Sequence, residues 1–64
     1  MHIAPGAVLA GNVTVGNSAF IGANSVIREG VSIGENVIVG AGSVVVKNVV
    51  TDSVVVGNPS NRIR

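Results

Sequence analysis

Aliphatic residues recur at every sixth position from the start of the chain: Ile3, Leu9, Val15, Ile21, Ile27, Ile33, Val39 and Val45. Eight matches in eight steps exclude accident. The fourth position of the same units reads Gly6, Asn12, Ser18, Asn24, Gly30, Asn36, Gly42 and Asn48, nearly all residue types that accept a left-handed backbone. A bend is therefore expected every six residues. The fifth position (Ala7, Val13, Ala19, Ser25, Val31, Val37, Ser43, Val49) is small or β-branched throughout. The pattern is cleanest in Ile33-Gly34-Glu35-Asn36-Val37-Ile38 followed by Val39-Gly40-Ala41-Gly42-Ser43-Val44.

The fifth residue of one unit and the first of the next are two apart, so in an extended chain they point to the same side, which must be inward. Short strands then alternate with bends, and a fixed six-residue period is the mark of a parallel β-helix solenoid. Three units would close a triangular coil, stacking Ile3, Ile21 and Val39; Leu9, Ile27 and Val45; and Val15 with Ile33. A meander of hairpins is the competing all-β reading, because Gly11-Asn12 and Gly16-Asn17 are turn-like pairs. Hairpins, however, do not demand one strict phase over so long a stretch. The handedness of the coil does not follow from this pattern.

The sixth positions face outward and sort by face. One face shows Val8, Val26 and Val44, the next Thr14, Ser32 and Val50, and the third Phe20 and Ile38. Two faces are thus apolar on the outside, and contiguous exposed apolar rows mark interfaces. A homotrimer packed through Val8, Phe20, Val26, Ile38 and Val44 is expected. After residue 50 the repeat weakens: Thr51-Asp52-Ser53 is expected to break the phase, Val54-Val55-Val56 to form a last strand, and Gly57-Asn58-Pro59 to turn and stop the coil. At the other end the repeat is already in phase at Ile3, with no capping unit before it. The chain therefore reads as one β-helix domain over 1–64, with repeats in 3–50 and a tail in 51–64, lacking upstream coils.

Composition narrows the function classes. Fifteen Val, nine Gly and only 11% charged residues argue for strand and against disorder. A net charge of +1, with no basic run, gives no footprint for nucleic acid or an anionic membrane. There is no cysteine for a disulfide or thiolate metal site, and the single His leaves a metal without further ligands. No apolar run reaches the ~18 residues of a membrane-spanning helix. A soluble, cytoplasmic protein is expected. Asn12-Val13-Thr14 fits a glycosylation acceptor, but Asn12 is already explained by its bend, and Gly40-Ala41-Gly42 lacks the third glycine of a dinucleotide fingerprint.

The template, together with His2-Ile3-Ala4-Pro5-Gly6-Ala7, Leu9-Ala10-Gly11-Asn12-Val13, Val39-Gly40-Ala41-Gly42-Ser43 and Val54-Val55-Val56-Gly57-Asn58-Pro59, resembles the hexapeptide-repeat acyltransferases. Within them it looks closest to the C-terminal part of sugar O- and N-acetyltransferases of the sialic acid and bacillosamine type. The resemblance implies a left-handed coil, here about two and two-thirds turns plus a C-terminal strand and tail. It implies trimers that bind acetyl-CoA between neighbouring coils, and a His general base in an acidic-His-acidic triplet about nine residues before the position of His2. That triplet and the family's N-terminal sugar-binding domain are not in these residues, so no catalytic residue is assigned, and the chain is expected to be inactive alone. The alternative is a structural trimerisation module without activity.

By the same resemblance, His2 would contact the thioester region of acetyl-CoA; read alone, it is an exposed residue beside a terminus. Gly11, Gly22, Ala23, Gly40 and Ala41 stand at second or third positions beside the bends, where small residues let a pantetheine arm approach the backbone. The competing reading is steric, the bend needing them whether or not anything binds. Lys47, Arg62 and Arg64 could meet coenzyme A phosphates. The family's Ala-basic pair after Gly-Asn-Pro is replaced by Ser60 and Asn61, which favours solubilising charge for all three.

Overall fold

A computed structural model describes all residues, Met1–Arg64. It contains ten short strands and no helix: β1 (His2–Ile3), β2 (Val8–Leu9), β3 (Thr14–Val15), β4 (Phe20–Ile21), β5 (Val26–Ile27), β6 (Ser32–Ile33), β7 (Ile38–Val39), β8 (Val44–Val45), β9 (Val54–Val56) and β10 (Asn61–Arg62). They stack as three parallel sheets, β1-β4-β7-β9, β2-β5-β8 and β3-β6, with β10 added antiparallel to β9. This is the expected left-handed parallel β-helix. Partners lie eighteen residues apart, as three units per coil require: Ile3 with Ile21, Leu9 with Ile27, Val15 with Ile33, Ile21 with Val39.

The bends are made where the residue types allow them. Gly6, Asn12, Ser18, Asn24, Gly30, Asn36 and Gly42 all have φ between 56° and 79°. Between bends, first and fifth positions fill the coil, so Ala19, Ile21, Ile27, Val31, Ile33, Val37, Val39 and Val45 are buried. The inward residues of the first coil are less so. Ile3 is 39% exposed because β1, β2 and β3 are edge strands, paired on one side only.

Two expectations near the end of the repeat are corrected. Asn48 does not take a left-handed conformation, and Val49 pairs with Ile33, sixteen residues back instead of eighteen. The corner at 46–48 is two residues short, so Val49 occupies a first position, and Val50 does not continue the Thr14–Ser32 row. Asn48 compensates: its Oδ1 accepts the Ser32 amide at 2.9 Å, standing in for the carbonyl that the shortened corner does not supply. Beyond it, Thr51-Asp52-Ser53 restores the phase instead of breaking it. Asp52 makes the bend at φ 64°, Ser53 is buried, and Val54 and Val55 pair with Ile38 and Val39.

Gly57-Asn58-Pro59 ends the coil as expected, with Gly57 at φ 102° and a cis Asn58–Pro59 bond. The chain then folds back over the open end. β10 covers β9, while the turn caps β8: the Val44 amide donates to Gly57 O at 2.9 Å, and the Ser60 amide donates to Val44 O at 2.8 Å.

Candidate functional site

The triangular coil has three edges of different chemistry. The first, between the β1 and β2 sheets, stacks Ala4-Pro5-Gly6, Gly22-Ala23-Asn24 and Gly40-Ala41-Gly42, joined by Asn24 N–H to Pro5 O at 3.2 Å and Gly42 N–H to Ala23 O at 2.8 Å. No side chain on it is charged. The second edge carries Gly11, Arg28, Glu29 and Lys47, and the third carries Glu35 and Asp52. The fold thus gathers Gly22, Ala23, Gly40 and Ala41 into one column and leaves Gly11 on a different edge, where Gly30 N–H donates to its carbonyl at 3.0 Å.

Packing decides between the two readings of the glycines. A Cβ at Gly22 would lie 2.6 Å from Ala41 N and 2.7 Å from Val39 O, so the backbone of the next coil already fills that space. A Cβ at Gly40 would meet Val56 Cγ1 at 2.7 Å. Gly22 is therefore required by coil stacking, whereas at Gly40 the near atoms belong to side chains, with the backbone of the next coil not among them. Gly11 has nothing within 4 Å of that position, and nothing in the chain demands its lack of a side chain.

Inside the first edge, Ser25 and Ser43 are fully buried, and both hydroxyls donate to Gly40 O, at 2.9 and 2.7 Å. Ser43 Oγ also accepts from Gly57 N–H at 3.2 Å, which ties the C-terminal turn to the column. On the outside the situation is reversed. Asn24, Ser25, Gly42 and Ser43 donate their amides within the chain, but the amides of Ala23 and Ala41 find no acceptor in it. The edge therefore presents two unpaired N–H groups in adjacent coils, roughly 4.8 Å apart as neighbouring strands are, beside glycines, alanine methyl groups and the uncharged Asn24 side chain. Sequence reading singled out these positions for size and missed their amides, because no side-chain pattern reports a free N–H.

His2 stands at the N-terminal end of the face beside this edge, with its ring stacked on Phe20 at a centroid distance of 4.9 Å. No carboxylate forms an ion pair or hydrogen bond with it. Along the same face run Phe20 and Ile38, 42% and 48% exposed, and Val8 and Val26 are exposed on the face across the edge, with Val44 half-buried. Lys47 and Arg62 come together elsewhere, on an open cleft of about 400 Å³ at the C-terminal end, lined also by Val46, Asn48, Ser53 and Ser60. Arg64 lies at the mouth of the hairpin, its carbonyl accepting from Arg62 Nε at 2.9 Å.

A coil of six-residue repeats with a small, uncharged, hydrogen-bonding edge agrees with comparison to known proteins. The family described as bacterial transferase hexapeptide (six repeats) matches residues 2–29 and 12–47. The chain belongs to this hexapeptide transferase family. Among solved structures it is similar to PerB from Caulobacter crescentus in complex with CoA and GDP-perosamine, with 39% identity and a TM-score of 0.98 over 100% of this chain and 31% of that one. It is similar also to the acetyltransferase domain of PglB from Neisseria gonorrhoeae in complex with acetyl coenzyme A, with 37% identity and a TM-score of 0.95 over 97% of this chain and 30% of that one. WeeI from Acinetobacter baumannii matches at 39% identity and a TM-score of 0.91, over 95% of this chain and 31% of that one. The chain thus spans about 30% of the length of these structures. No curated protein matches significantly. No helix is long and apolar enough to cross a membrane.

Proposed function

We propose that this chain is the C-terminal β-helix portion of a cytoplasmic, acetyl-CoA-dependent sugar O- or N-acetyltransferase, contributing trimerisation and part of the acyl-donor groove. The observation that carries the reading is the first edge: the free amides of Ala23 and Ala41 can donate to the amide carbonyls of a pantetheine arm laid along the coil axis. Such an arm is uncharged and narrow, and this edge is the uncharged, narrow one. The similar PglB domain and PerB hold acetyl coenzyme A and CoA. The acyl end of the donor would lie toward His2. The apolar rows Val8, Val26 and Val44, and Phe20 and Ile38, would pack against other copies in a homotrimer. Lys47 and Arg62 share a cleft away from this edge, in keeping with solubilising charge.

Because His2 has no carboxylate partner, the base that activates the acceptor would come from residues upstream of these coils, along with the domain that holds the sugar. The relatives, about three times as long, have room for both. A purely structural trimerisation module is the second reading, favoured by the steric explanation of Gly22. Titration of the ¹⁵N-labelled protein with acetyl-CoA separates the two. Donor binding moves the amide resonances of Ala23 and Ala41 most, whereas an unchanged spectrum at millimolar acetyl-CoA sinks the donor groove and leaves the scaffold.

A further inference from the structure

Phe20 is the chain's one aromatic ring of the Phe, Tyr or Trp type and His2 its one imidazole, and the fold sets them side by side. Their backbones are register partners in the parallel pair β1 and β4, and their rings lie 4.9 Å apart at an interplanar angle of 9°. That separation matches the ~4.8 Å between neighbouring strands. The stack is therefore a product of in-register pairing, not of a chance rotamer. On its far side the register partner of Phe20 is Ile38, so the two partners flank it along an outward face.

An exposed His would ordinarily sample several rotamers, and a ligand that used it would bear the entropy of fixing it. Imidazole is planar, with its nitrogens on the ring edge. Fixing the plane therefore fixes the directions in which it can donate and accept. We propose that Phe20 is a positioning residue for His2, holding the imidazole so that its nitrogen-bearing edge is presented to the acyl end of a donor lying on the Ala4–Gly22–Gly40 edge. The ligand part of this statement rests on the donor-groove reading above, while the stack stands on the fold alone. Phe20 touches no reacting atom in this scheme; it acts through His2.

The test has one arm without ligand and one with it. In protein labelled at histidine, the ring protons of His2 should be shifted upfield by the Phe20 ring current, the shift should persist in Phe20→Tyr, and it should vanish in Phe20→Leu. Identical His2 shifts in wild type and Phe20→Leu overturn the proposal. Phe20 lies outside the core, and an unchanged amide spectrum for the later coils of each variant confirms folding. With acetyl-CoA as the probe, Phe20→Leu should weaken binding about three- to tenfold, the range an aromatic pair supports. In a His2→Ala background the same substitution should cost nothing further. An undiminished loss in that background means that Phe20 acts independently of His2, by meeting the donor or by packing the trimer, and overturns the positioning role. Failure of the wild type itself to bind acetyl-CoA overturns the donor reading and this role for His2 with it, while the ligand-free spectrum still reports the stack.

Discussion

Alanine placed at Gly22 and at Gly11 should move stability in opposite directions, although both substitutions add one methyl group at a corner. At Gly22 the new Cβ would sit 2.6 Å from Ala41 N, 2.7 Å from Val39 O and 2.8 Å from Gly40 C. These are backbone atoms of the next coil, and they cannot rotate away as a side chain could. Relief requires the coils to part by several tenths of an ångström, which lengthens Gly22 N–H to Val39 O, now 2.8 Å, and strains its neighbours. Overpacking of this kind typically costs about 1–3 kcal/mol, and the loss of hydrogen-bond geometry places Gly22→Ala at the upper end, about 3 kcal/mol, more than a hundredfold in the folding equilibrium. At Gly11 nothing lies within 4 Å of the added carbon and φ is not left-handed. Removing a glycine from the unfolded chain there should stabilise by about 0.4–1 kcal/mol. Urea denaturation of both variants at one protein concentration, followed by far-ultraviolet circular dichroism, reads the two midpoints. A Gly22→Ala midpoint within error of wild type, or a Gly11→Ala loss as large as that of Gly22→Ala, would refute the stacking argument.

The buried serines should divide in the same assay. Ser43→Ala removes a donor to Gly40 O and an acceptor for Gly57 N–H and should cost about 1–3 kcal/mol. Ser53→Ala deletes a buried hydroxyl with no partner and should be neutral or stabilising; a loss equal to that of Ser43→Ala would contradict this. Asn48→Ala should cost about 1 kcal/mol by leaving the Ser32 amide without its acceptor, and Asn48→Asp should recover most of it, as measured by the denaturation midpoint. Ile38→Lys sets a charge in an exposed apolar row; on the proposed homotrimer, sedimentation velocity should give a trimer for the wild type and a monomer for the variant, with the strand spectrum retained.

The coil was legible because its rule is geometric and repeated. A residue at every sixth position either fills the interior or bends the backbone, and each departure stands out against its neighbours. Seven of the eight expected bends are left-handed, and the exception, Asn48, lies where the chain drops two residues. That deletion was readable in principle: Val49-Val50-Thr51-Asp52-Ser53-Val54-Val55 repeats the order of Ile33-Gly34-Glu35-Asn36-Val37-Ile38-Val39 when shifted by sixteen. A strict count by six hides it, since it assigns Val49 to a fifth position and so makes Thr51 to Ser53 look out of phase. The antiparallel β10 was not legible, for Asn61 and Arg62 have no strand propensity of their own and pair with β9 only because a turn returns them to an open sheet edge.

The site is harder to read for a reason that belongs to its chemistry. A groove that recognises a ligand through backbone amides is marked in sequence only by small side chains, and small side chains are also what close coil stacking selects. At Gly22 stacking alone is sufficient, so its presence carries no information about a ligand. The distinction falls on Ala23 and Ala41, whose methyl groups satisfy packing but whose N–H groups are left without acceptors. An unpaired amide in one coil could be incidental to the bend, and the charged edges of the same solenoid have such amides too. What sets the first edge apart is their combination with an absence of charge, with apolar faces on both sides, and with an imidazole held by Phe20 at one end. The decisive features are thus relations between coils, visible only once residues eighteen apart in the chain are brought into contact.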